Sequence, residues 1–313
     1  MAPRFRLRPL VLAALTHFGP MAAPAATADA LLRGAIDLHC HSGPDAVPRA
    51  VNDLELARAA RAAGLRAFVI KNHYTGTADR AELAQFAAGG GIEVFGGIVL
   101  NRAVGGLNAE AVRRMAAMAG GRGRIVWLPT FDAENAVRAE GAARPYVAVV
   151  AAGRPVPALA EVLAAVAAHG LVLATGHASA EEALVIFAAA RAAGIRHVVV
   201  THALFPPLRA ADEQLVALAR QGAWLEFSWL MHVPPAPSAA ASAAVPLERC
   251  VAAIRAVGPA AVVLSSDFGQ AVNRPPPDGL RAFLAALLDA GVSAAELDTM
   301  VRRNPARVLG LQP

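Results

Sequence analysis

A chain of 313 residues with 56% hydrophobic composition is long enough to bury one large core. Its net charge of +5 and isoelectric point of about 10.1 come from dispersed arginines, with no basic stripe and no interleaved aromatic run, which argues against a nucleic-acid binder. Cys40 and Cys250 stand alone, so neither a disulfide framework nor a thiolate zinc site is expected.

Residues 1–33 read as a leader. Arg4, Arg6 and Arg8 precede an apolar run at 10–15, and Ala25-Ala26-Thr27-Ala28 has the form of a signal-peptidase site. Met21 as the true start would instead leave a disordered Ala/Pro leader. The first reading implies a periplasmic or secreted protein and the second a cytoplasmic one; both stay open. The uncharged run at 162–180 has the length of a membrane span, but it contains His169, Gly170, Gly176 and His177. It reads as a helix end followed by a buried strand, so no membrane span is expected.

From Gly34 onward a short apolar run, a polar or Gly-rich break and an Ala/Leu/Arg stretch with helical spacing recur. Strands are predicted over residues 35–39, 67–70, 93–100, 124–129, 171–175, 197–201, 223–227 and 261–265. Helices are predicted over 54–63, 79–88, 109–119, 158–168, 181–193, 212–221, 247–257 and 280–290, several closed by a C-terminal Gly. Eight alternating pairs suit an α/β fold, a (β/α)8 TIM barrel in one domain over residues 34–313. An open doubly wound sheet is the alternative, but no GxGxxG follows the first strand. Two segments break the repeat: 131–157, with a short extra strand expected at 146–150, and the Ala/Ser/Pro tract at 234–246, expected to be a mobile loop. Both fall on the face where a barrel keeps its chemistry.

The sharpest local motif is Asp37-Leu38-His39-Cys40-His41-Ser42 at the end of the first strand. In extended backbone the two-residue spacing puts both imidazoles on one side, where they can share a metal ion. On its own HxH is a weak signal. Its weight comes from recurrence: His177 closes the fifth strand, His202 the sixth and Asp267 the eighth. Structural histidines have no reason to choose strand ends repeatedly, and helix capping explains only Asp267.

This constellation resembles the amidohydrolase superfamily of metal-dependent hydrolases, and Arg303-Asn304-Pro305-Ala306-Arg307-Val308-Leu309-Gly310 resembles its closing helix. The likeness spans 34–311 and points to an uncharacterised branch. It implies that His39, His41 and Asp267 hold one divalent ion, with His177 and His202 holding a second or assisting the first. The ion implied is zinc, one or two per chain, with manganese, iron or nickel equally suited to such ligands. Asp267 would take a proton from the attacking water and deliver it to the leaving group.

One element of the family pattern is missing. The bridging carboxylated lysine commonly supplied after the fourth strand is absent, since that strand ends Trp127-Leu128-Pro129-Thr130. The chain has 28 arginines and a single lysine, Lys71, at the end of the second strand. Arginine cannot lose its proton in a protein, whereas a lysine amine can become neutral and react with carbon dioxide. Lys71 is therefore expected to be a metal ligand as its carbamate in a binuclear centre, or else a salt-bridge partner or substrate anchor. His73, two residues on, is read as an additional ligand, a proton shuttle or a loop residue.

Asn101, Arg102, Thr130 and Glu226 are the expected substrate contacts, and Arg49, Arg102 and Arg274 could clamp a substrate carboxylate. His169 and His197 are expected to be structural. The activity expected is hydrolysis of an amide, lactam, lactone or related ester in a small-molecule substrate. A mononuclear zinc decarboxylase on the same fold and a phosphoesterase of the polymerase-and-histidinol-phosphatase type are the alternatives. A homo-oligomer is compatible with base rates and no more.

Overall fold

Short runs of Val, Ile, Leu and Phe buried on both faces make strands that suit a parallel sheet wrapped by helices. The computed structural model of the chain describes residues 27–312 apart from 206, 207, 209 and 235–243. Its barrel strands are β1 (Ile36–Cys40), β2 (Ala67–Ile70), β3 (Glu93–Val99), β4 (Gly123–Trp127), β5 (Val172–Ala174), β6 (Val198–Val200), β7 (Trp224–Ser228) and β8 (Val262–Ser265). They pair in parallel in that order. The first and last strands meet at a Cys40–Phe268 bridge, where the His41 N–H donates to the Phe268 carbonyl at 2.8 Å and the Asp267 N–H to the His39 carbonyl at 2.9 Å. The expected (β/α)8 barrel is the observed architecture.

Alternation along the strands divides the core into two layers. Ile36, Leu38, Val69, Phe95, Val99, Ile125, Val172, Val199 and Val263 form the inner layer, with Val308 and Leu309 of the closing helix (Asn304–Leu309) packed into it. Phe68, Val126, Leu173, Leu225 and Leu264 face the surrounding helices. Each such side chain contributes roughly 1.5–3 kcal/mol by leaving water. In the inner rows Lys71 follows Val69 and Ser265 follows Val263, so polar groups gather at the C-terminal ends of the strands. The register of β1 against β2 shifts between Asp37 and Cys40, a bulge that lets Leu38 pack inside while His39 above it also faces the polar cluster.

The Ala-rich helices depend on their caps. Asn52 and Glu55 form a capping box on helix Asp53–Ala62, and Ser179 and Glu182 form another on helix Ala180–Ala192.

Two expectations change. Residues 27–33, counted above with the leader, belong to the folded unit: Thr27 caps a helix, Ala28–Leu32, that buries Leu31 and Leu32. Residues 1–26 lie outside the described residues. The extra strand expected at 146–150 is reduced to an isolated parallel bridge of Val147 with Ala133 and a two-stranded hairpin of Val150–Ala151 with Arg154–Pro155. The Val147 N–H is taken by the Asp132 carbonyl at 2.7 Å, and the same connection carries a helix, Glu134–Ala139. Most of the 234–246 tract lies outside the described residues. The uncharged 162–180 run is a helix end (Pro157–Ala168) followed by β5, and among the described residues no helix is long and apolar enough to cross a membrane.

Candidate metal centre

The strand-end residues predicted from sequence converge at the mouth of the barrel. His39, at the end of β1, lies with its Nδ1 3.0 Å from Glu226 Oε1 on β7 and its Nε2 3.0 Å from Asp267 Oδ1 after β8. His41 Nε2 is 3.1 Å from the same Asp267 oxygen, and His202 Nε2 is 3.4 Å from Asp267 Oδ2. Lys71 Nζ is 2.9 Å from His39 Nε2 and 5.6 Å from the centre of the Trp127 ring. His39, His202 and Asp267 each offer a ligand atom within 4.8 Å of the others, and all three are buried. Among the described residues theirs is the compact donor set. His177 stands beyond it, its ring centre 5.1 Å from that of His202.

Backbone strain is concentrated here. His202 has φ +33° and Asp267 φ +54°, left-handed values that cost a non-glycine residue about 1–3 kcal/mol each. The surrounding structure enforces them: the His202 N–H donates to Glu226 Oε2 at 3.1 Å, and the Asp267 N–H to the His39 carbonyl. Asp37, fully buried, accepts from the His39 and Ser266 N–H groups with one oxygen, tying β1 to the residue before Asp267. Gly176 has φ +64°, and a Cβ there would lie 2.3 Å from the Leu128 and Pro129 carbonyl oxygens. Only glycine lets the chain turn that close to β4 and present His177.

The electrostatics show what the donors are prepared for. Burial pushes His39 down, but the charges of Asp267 and Glu226 outweigh it and raise the imidazole to about 9. Burial holds His41 at about 3 and His202 at about 4, so both are neutral imidazoles. Burial raises both carboxyls, yet the His39 and His202 charges leave Asp267 well below the carboxylate range and Glu226 at about 2. Burial lowers Lys71 to about 8, against the pull of Asp267 and Glu226. Two buried carboxylates thus face two removable protons, on His39 and Lys71. A divalent cation replacing those protons would keep the charge balanced, and His39, with Nδ1 fixed by Glu226, has Nε2 turned toward the shared space. The donor set fits a divalent ion.

The remaining predicted residues form a supporting layer. His73 stacks on His41 at 4.9 Å and on Phe131 at 4.1 Å, with Nδ1 2.8 Å from Thr130 Oγ1. Asn101 donates to Thr130 Oγ1 at 2.8 Å and accepts from the Thr130 N–H at 2.8 Å. With its oxygen accepting from Asn101, the Thr130 hydroxyl is free to donate to His73. Asn101 and Thr130 are buried and position His73, and Glu226 is buried against His39. Arg102 is exposed, on the rim of a hollow of about 540 Å³ lined also by Leu107, Tyr146 and Val147. Trp127 and Phe131, assigned no role above, wall the site; the indole in place of a strand-four lysine was the available signal. His169 caps helix Pro157–Ala168, and His197, before β6, accepts from Trp224 Nε1 at 3.3 Å.

A model described as a family of unknown function, DUF6282, matches residues 34–226. The chain belongs to that family. No curated protein matches it. Among solved structures, an amidohydrolase from Pseudomonas aeruginosa is similar with a TM-score of 0.62 at 14% identity, over 91% of this chain and 98% of its own. An amidohydrolase from Burkholderia multivorans with bound zinc has a TM-score of 0.55 at 17% identity, over 89% and 99%. A 2,6-dihydroxybenzoate decarboxylase from Rhizobium has a TM-score of 0.55 at 13% identity, also over 89% and 99%. At such identities the likeness establishes the barrel of this DUF6282 chain, and its chemistry rests on its own residues.

Proposed function

We propose that the protein is a metal-dependent hydrolase of amide, lactam, lactone or related ester bonds. The observation that carries this reading is the buried set His39, His202 and Asp267, completed by His41 and sited on two strained residues at the mouth of the barrel. The similarity to amidohydrolases, one with bound zinc, supports it.

In this reading His39, His41, His202 and Asp267 are the ligands, with His177 beside His202 available to a second ion or to the substrate. A divalent ion there supplies Lewis acidity, polarising the scissile carbonyl and lowering the pKa of water. Asp267 accepts the proton of the attacking water and returns it to the leaving group. Glu226 fixes the His39 ring, and Thr130 with Asn101 fixes His73, whose Nε2 is left free to donate toward the substrate. Lys71, as its carbamate, would be a further ligand in a binuclear centre; its amine reacts with carbon dioxide once it has lost its proton, which burial favours. Trp127, buried, keeps water from the base of the site, and Phe131, partly exposed, stacks on His73 at its rim.

Two observations favour a second reading: among the described residues the compact donor set is a single cluster, and β4 ends in Trp127, which suits a mononuclear lyase such as the decarboxylase with the same barrel. Metal analysis of the purified protein beside Lys71→Ala separates the two. Two ions per chain, falling in the variant, support the bridged hydrolase. One ion in both, with carbon dioxide released from aryl carboxylates, supports the lyase, and no metal in either overturns both.

A further inference from the structure

Arg49 differs from the other arginines around the barrel mouth. Arg102 and Arg274 are exposed, whereas the Arg49 side chain is only 6% exposed. It belongs to the loop after β1, which folds back onto the turn following Asp267: Arg49 bridges Gln270, and the Ala50 N–H donates to the Gly269 carbonyl at 3.0 Å. A Cβ on Gly269 (φ +130°) would lie 1.9 Å from the His41 carbonyl, so this turn and the HxH segment are in direct contact. Arg49 is thereby held beside His41.

Its guanidinium is fixed at one end and unused at the other. Nε donates to Asp45 Oδ2 at 2.7 Å, and the Asp45 side chain is fully buried. Among the described residues neither Nη1 nor Nη2 has a hydrogen-bond partner, and neither is sealed from solvent. Asp45 Oδ1, in contrast, is buried and has no hydrogen-bond partner among the described residues. A nearly buried cation whose two outer donors are turned to solvent, with its Nε already anchored, presents a ready fork for an anion.

We propose that Arg49 anchors a substrate carboxylate, Nη1 and Nη2 donating a parallel pair of hydrogen bonds while the buried Asp45 carboxylate holds the guanidinium in place through Nε. This deepens the hydrolase reading and rests on it: the substrate class becomes amides or cyclic amides bearing a carboxylate near the scissile bond. Arg suits the task because its planar fork matches a carboxylate bidentately, which lysine cannot do.

The test is calorimetric titration of the full chain, as purified and after chelator treatment, with N-acetylphenylalanine and 3-phenylpropionate, each beside its primary amide. The acids are expected to bind about ten- to a hundredfold more tightly than the amides. Arg49→Ala abolishes that preference and Arg49→Lys retains part of it, with metal content unchanged and binding measured below the unfolding temperature of each variant. No acid preference in the wild type, or an equal preference in Arg49→Ala, overturns the anchor and leaves the metal reading standing. An Arg49-dependent preference in a protein that binds no metal overturns the metal reading and leaves the anchor standing.

Discussion

His39 and Glu226 face each other at 3.0 Å between Nδ1 and Oε1, both buried, and the same carboxylate accepts from Ser265 Oγ at 2.8 Å and from the His202 N–H. One glutamate on β7 therefore sets the direction of the His39 imidazole and ties down the strained main chain at His202. Glu226→Gln keeps the shape and removes the charge. Metal affinity should fall about 10- to 100-fold, read by competition with a chromogenic chelator, while the unfolding midpoint moves little. Unchanged affinity would remove Glu226 from the centre.

Asp267 touches His39, His41 and His202, so its loss should disable both metal retention and proton transfer. Asp267→Asn is expected to lower turnover of a lactone or aryl-ester probe by about 10²–10⁴-fold with circular dichroism unchanged. A variant that keeps metal and rate would require another general base.

Lys71 distinguishes charge from reactivity. Lys71→Arg retains a cation that cannot be neutralised, and Lys71→Ala retains nothing. If the carbamate forms, both variants lose the same share of bound metal, and intact-mass analysis of the wild type under carbon dioxide shows the adduct. Normal metal content in Lys71→Arg would mean that Lys71 acts only through its charge.

Gly176→Ala should destabilise the fold by about 2–4 kcal/mol in urea titration, because a Cβ at 2.3 Å from two carbonyl oxygens forces the β5 turn off β4 and strains the left-handed backbone. His177 moves with the turn, so activity should fall further than the unfolded fraction explains. A neutral substitution would show that the turn is free to shift.

Sequence alone determined the barrel and the strand-end residues, because both rest on local periodicity. Alternating apolar runs, Gly-capped helices and polar residues two positions past the last inner-layer side chain are written within each βα unit, and the observed strands follow the predicted ones to within two residues. The register shift in β1, the left-handed turns at His202 and Asp267, and the choice of Arg49 over Arg102 and Arg274 were not legible in this way. Nor was the grouping of His202 with His39 and Asp267 rather than with His177 alone. The physical reason is distance along the chain: His39 and Asp267 share a hydrogen-bond network only because the sheet closes on itself. Where side chains from different strands meet is decided by closure and register, which no single segment encodes.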